Sequence, residues 1–129
     1  MFFDELSLLA LYGLVVAFTI LLQTTGVVGQ LGMGYLLSAR DEPRTLTGIT
    51  ARLERALSNS IVAMALFAPA VLILAAGDKF TPSTLQAAQV FVVARLIYIP
   101  AYAFAITGLR TLAWLVGFAA TITLYFLGL

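Results

Sequence analysis

A chain of 129 residues in which 62% are hydrophobic and only 10% charged falls far below the roughly 25% charged content of soluble domains, and reads as an integral membrane protein. Its seven Lys and Arg against six Asp and Glu leave a net charge of +1, with no contiguous basic run of the kind that grips nucleic acid or anionic lipid. The absence of Cys excludes disulfides and thiolate metal sites, and the absence of His removes the commonest metal ligand and general base. No metal site is expected, and any chemistry must run on Arg, Tyr, Asn, Ser or a bound cofactor.

A helix needs about 20 apolar residues to cross a hydrocarbon core of about 30 Å. Four segments meet that length, within a single membrane domain covering 1–129. The chain opens on Met1-Phe2-Phe3-Asp4-Glu5, without the basic start of a cleaved signal peptide, so the first span is expected to be retained. That span covers about 6–36 and meets no charge before Arg40; Gly26, Gly29, Gly32 and Gly34 suggest that its last turns loosen. The second covers 56–77 and contains Pro69, tolerated where neighbouring helices satisfy the freed carbonyl. The third covers 82–108 and starts at Thr81-Pro82-Ser83, where Pro suits a first helical turn. The fourth covers 111–129. Gly77-Asp78-Lys79 and Thr107-Gly108-Leu109 read as short turns, so the expected fold is an all-α, four-helix antiparallel bundle.

Arg40, Arg44, Arg52 and Arg55 lie between the first two spans and Arg110 between the last two, whereas the opposite side holds only Lys79. The positive-inside rule places these arginines in the cytoplasm and both termini outside.

Arg95 stands in the middle of the third span, where a charge costs at least about 2.5–3.5 kcal/mol on insertion scales and is expected to face the bundle interior. The acids Asp4, Glu5, Asp41, Glu42, Glu54 and Asp78 all lie at or near the ends of apolar segments, so its partner must be of another kind. Arg95, Tyr98 and Tyr102 share one helical face at i, i+3, i+7, and Arg52, Arg55, Asn59 and Val62 share another on the second span. At about 1.5 Å per residue, setting Arg52 level with Leu109 brings Asn59 near Tyr102 and Val62 near Tyr98. Arg110 then caps the mouth, with Thr111 beside it and Trp114 one turn deeper, giving a cytoplasm-facing cleft rich in donors for an anion. Plainer roles stand beside this one. Arg40, Arg44, Arg52, Arg55 and Arg110 serve equally as topology charges, Tyr98, Tyr102 and Trp114 as interfacial or packing aromatics, Asn59 as a hydrogen bond between helices, and Arg95 as a structural arginine on carbonyls.

Three strings carry a resemblance: Glu54-Arg55-Ala56-Leu57-Ser58-Asn59 opening the second span, Ala94-Arg95-Leu96-Ile97-Tyr98-Ile99-Pro100-Ala101-Tyr102 on the third, and Leu109-Arg110-Thr111-Leu112-Ala113-Trp114 opening the fourth. In this order they resemble the MAPEG family, the membrane-associated proteins of eicosanoid and glutathione metabolism, and especially its small bacterial members. The resemblance implies a trimer in the bacterial inner membrane, with glutathione held between neighbouring subunits near the cytoplasmic side. It implies that Arg110 stabilises the glutathione thiolate and that Arg55, Asn59, Arg95, Tyr98 and Tyr102 line the cleft.

The chain also departs from the family pattern. Val62 stands where a carboxylate usually follows the Asn, Ser58 where some glutathione-using members have Arg, Trp114 where they have Tyr, and the glycine-rich stretch around Gly32 where some are basic. Loss of the acid removes a partner for Arg95 and an acceptor for the glutathione amine. Three functions therefore remain open: a glutathione-dependent transferase or peroxidase acting on lipophilic electrophiles; a non-catalytic membrane subunit, as a trimer or in a larger complex, whose cleft is degraded or filled by lipid; and a small transporter or channel.

Overall fold

A computed structural model describes residues 4–129, so Met1–Phe3 of the expected uncleaved start lie outside the described residues. The chain forms α1 (Glu5–Leu31), the single turn α2 (Met33–Leu36), α3 (Gly48–Ala76), α4 (Pro82–Ala103) and α5 (Thr107–Gly128). α1, α3, α4 and α5 are each long and apolar enough to cross a membrane.

Local chemistry sets the ends of these helices. Asp4 caps α1 by accepting from the Ser7 amide at 2.7 Å, which holds its carboxyl below the usual carboxylate range. Gly32, at φ 86°, breaks the first apolar run where the expected span continued to 36, and α2 turns away from it. α4 opens on a capping box, Thr81 and Thr84 each accepting from the other's amide at 3.2 and 2.7 Å, with Pro82 in the first turn.

Two turns close the helical hairpins in the same way. After α3, Asp78 adopts φ 53° while the Lys79 amide reaches the Leu74 carbonyl at 2.9 Å. After α4, Ala105 adopts φ 60° while the Ile106 amide reaches the Ala101 carbonyl at 2.8 Å. The second turn therefore lies at Phe104–Ile106, not at the expected Thr107–Leu109, and α4 ends five residues before the expected limit of 108. Gly108 instead sits in the first turn of α5.

α4 is the most enclosed helix and lies at the centre of the bundle. Its Phe91 ring stacks on Phe67 of α3 at 3.9 Å between centroids, and Tyr12 of α1 meets the Phe91 ring edge-on at 4.9 Å. Leu8, Val71, Leu74, Ala88 and Leu124 fill the space around these rings. Gly26 allows α1 to close on α3, since a Cβ there would collide with the Thr50 side chain. Pro69 leaves the Ala65 carbonyl without its helical donor, and one residue further on Tyr125 of α5 donates to the Leu66 carbonyl at 2.6 Å. At one end of the bundle Glu5 is buried against Thr84, and Lys79 donates to the Gly128 carbonyl at 3.0 Å, so the start of α1 and the end of α5 meet the α3–α4 connection. The arginine-rich segments gather at the other end.

Candidate functional site

The site begins where α3 and α4 run side by side at the arginine-rich end. The last carbonyls of a helix lack intrahelical donors and carry partial negative charge, which suits a cation. Arg52 meets that need for α4, its Nε donating to the Ala103 carbonyl at 2.7 Å. One turn deeper, Arg55 Nε donates to the Tyr102 hydroxyl at 3.2 Å. Deeper again, Arg95 Nη1 donates to Asn59 Oδ1 and Nη2 to Ser60 Oγ, both at 3.0 Å.

Arg95 is only 2% exposed, which makes it the largest fully buried side chain, and it faces the protein interior. Its guanidinium lies 4.0 Å above the Tyr98 ring. Around it stand neutral oxygens, those of Asn59 and Ser60 together with the Tyr12 hydroxyl, and an aromatic face, with no carboxylate within ion-pair distance among the described residues. Nε keeps no hydrogen-bond partner. Ser60 is held in turn: its hydroxyl donates to the Ala56 carbonyl at 2.7 Å, and its own carbonyl accepts from Tyr12 at 2.8 Å. Neither Ser60 nor Tyr12 was singled out by sequence. Ser60 was open to notice as the hydroxyl next to Asn59 in an apolar span; Tyr12 gave no local signal, because only the packing of α1 brings it to α3.

The register between α3 and α4 differs from the sequence-based alignment by about one to two helical turns. Tyr102 meets Arg55 rather than Asn59, and Asn59 meets Arg95. The early end of α4 at Ala103 causes this, since Arg52 pairs with Ala103 and not with Leu109. The two polar faces nevertheless meet each other: Arg52, Arg55 and Asn59 all bond to α4.

α5 completes the site. The Arg110 guanidinium lies 4.5 Å from the Tyr102 ring centroid, and that of Arg55 lies 5.8 Å from the same ring. Tyr98 meets Tyr102 edge-on at 5.8 Å. A pocket of about 130 Å³ is lined by Tyr98, Arg110, Thr111 and Trp114. Below it, a crevice of about 240 Å³ holds Asn59, Val62, Arg95 and Trp114, whose indole stacks on Phe118 at 5.2 Å. Gly117 of α5 faces the Arg95 stem, where a Cβ would stand in ordinary contact with Arg95 Cδ at 3.6 Å. Val62 is 59% exposed and lines the crevice without adding a charge to it. Ser58 is exposed. No group of three or more metal-ligating side chains occurs among the described residues.

Arg55, Asn59, Arg95, Tyr98, Tyr102 and Arg110 therefore form one connected series from the helix ends to mid-bundle. Over residues 6–129, essentially the whole length, the chain matches the model of the MAPEG family. It belongs to the MAPEG family. It matches no curated protein and no solved structure. MAPEG membership accords with the four apolar helices and makes this an integral membrane protein.

Proposed function

We propose that this MAPEG protein is a glutathione-dependent transferase or peroxidase acting on lipophilic electrophiles. The observation that carries the reading is the convergence of Arg55 and Arg110 on the Tyr102 ring, with no acid within ion-pair distance of either among the described residues. Two like charges around one ring repel each other unless an anion joins them. A cation beside a thiol favours the thiolate, and the thiolate is the nucleophile. In the proposed conjugation, the Arg110 guanidinium holds the glutathione sulfur as its anion. The sulfur forms a bond to the electrophilic carbon, and the leaving group departs with its electron pair.

The size of the Arg110 pocket bears on assembly. Its 130 Å³ is well below the roughly 300–1,000 Å³ of sites that enclose drug-sized ligands, so a single protomer has room there for the thiol end only. A homotrimer, or a larger membrane complex, supplies the remaining wall in this reading. The arginine-rich end faces the cytoplasm and both termini lie outside, with the bacterial inner membrane as the site of action.

A second reading, a non-catalytic subunit with a lipid-filled cleft, is favoured by Val62 and by Asn59, whose side-chain oxygen is already engaged by Arg95. Thermal unfolding in detergent with and without glutathione separates the two, because only a ligand that binds the native state raises its melting temperature. A rise that the Arg110→Ala variant reduces supports the enzyme. No rise in wild type, with a rise appearing in Val62→Glu, assigns the loss of the site to that position and favours the non-catalytic subunit.

A further inference from the structure

The sequence contains no contiguous basic cluster, yet folding assembles one. A concavity of about 600 Å³ forms where the last turns of α1, the segment 37–47 and the first turns of α3 come together. Arg40, Arg44 and Arg55 line it, along with the side chains of Gln23, Thr24 and Thr45. Glu54 is the single acid on its wall, so three cations face one carboxylate.

The segment that brings Arg40 and Arg44 there is a built structure. Gln30 clamps it to α1, donating to the Thr47 carbonyl and accepting from the Thr47 amide, both at 2.9 Å. Arg40 directs Nε and Nη2 at the Leu36 carbonyl, at 3.1 and 2.9 Å, and so closes the end of α2. Arg44 donates Nη1 to the Leu31 carbonyl at 3.1 Å at the end of α1, while its guanidinium lies 4.2 Å over the Tyr35 ring. Glu42, 74% exposed and 3.5 Å from Arg44, is its only ion-pair partner among the described residues. An arginine offers five donors, so both guanidiniums retain N–H groups beyond these contacts. Each is held in place by backbone before any ligand arrives, which lowers the cost of ordering it on binding.

We propose that this concavity binds the phosphate of an anionic phospholipid. Its depth selects the occupant: it lies at the ends of two membrane-spanning helices, α1 and α3, where lipid phosphates are concentrated. Its charge selects among lipids, since basic pockets at the membrane surface favour anionic headgroups over zwitterionic ones. Arg55 is shared with the Tyr102 site, whereas Arg40 and Arg44 are not, so their contribution can be read without a thiol present.

The test uses the full chain in neutral detergent without glutathione. Phosphatidylglycerol, phosphatidylcholine or inorganic phosphate is added at matched concentrations, with retained lipid read by native mass spectrometry and stability by thermal unfolding. Phosphatidylglycerol is expected to be retained and to raise the melting temperature, while phosphatidylcholine is not. Arg40→Gln combined with Arg44→Gln should weaken this retention roughly tenfold or more, consistent with two lost surface cations. Because those arginines also close helix ends, Thr45→Glu provides the second variant: it adds a carboxylate to the concavity, keeps both caps and should weaken retention similarly. Equal retention of the two lipids, or wild-type retention in Thr45→Glu, would overturn the proposal. Stabilisation by inorganic phosphate that displaces phosphatidylglycerol would overturn the lipid assignment in favour of a soluble phosphate compound.

Discussion

Arg95 of α4 and Asn59 of α3 are joined by a 3.0 Å hydrogen bond in the interior of the bundle, where no acid among the described residues comes within ion-pair distance of the guanidinium. A cation that would usually take a carboxylate is held here by neutral oxygens and a tyrosine ring. The contact also fixes the register of the two helices that carry most of the site.

Removing the oxygen tests this. Hydrogen bonds to a charged group are worth about 1.5–3 kcal/mol, and a buried donor left without its acceptor bears the desolvation cost as well. Asn59→Leu is expected to lower unfolding stability by about that amount, measured by SDS or urea titration in mixed micelles. Asn59→Asp, which keeps an acceptor, should hold the wild-type midpoint or exceed it. An unchanged midpoint in Asn59→Leu would mean that Arg95 finds other partners.

Ala105 occupies the left-handed region at φ 60° in the α4–α5 turn, a conformation that costs a residue with a Cβ roughly 1–2 kcal/mol. Ala105→Gly relieves this but loosens the unfolded chain by about 0.4–1 kcal/mol, so a net gain of about 0.5–1 kcal/mol is expected. Ala105→Val should be destabilising. Thermal unfolding of the pair checks the sign.

Gly26 and Thr50 mark the closest approach of α1 to α3. Gly26→Ala is expected to destabilise by about 1–3 kcal/mol, as overpacking at a tight contact commonly does. Adding Thr50→Ala should recover most of the loss. Failure of the second change to help would show that the strain lies elsewhere.

Four apolar runs, their order and the two polar faces were legible in the sequence because length, hydropathy and helical spacing are local properties. The position of the α4–α5 turn was not. Gly108 attracted the turn to Thr107–Leu109, whereas the chain reverses at Ala105, an alanine with no local mark of a left-handed conformation. That displacement moved the expected partner of Tyr102 by about one turn and that of Asn59 by about two. The basic concavity was equally hidden, since Arg40, Arg44 and Arg55 are separated in sequence and joined only when Gln30 clamps Thr47. Its place in an apolar run identified Arg95 as a residue in need of partners, and helical spacing put Tyr98 on its face; tertiary packing supplied Asn59 and Ser60.

Orientation rests on the arginine bias, and the chain's lack of Cys makes it directly measurable. Arg44→Cys and Lys79→Cys, made singly, should label from opposite sides of the membrane with an impermeant maleimide. Labelling of Arg44→Cys from outside in intact cells would reverse the assignment.

Conjugation of glutathione to a model electrophile by purified wild type and Arg110→Ala reads whether Arg110 activates a thiol. Loss of a preorganised charge-stabilising donor commonly costs about 10²-fold or more in turnover, and that drop is expected here. Glutathione affinity should fall less than turnover, because the guanidinium matters most for the anionic sulfur. Equal rates in the two proteins, whether both active or both silent, would contradict the role given to Arg110.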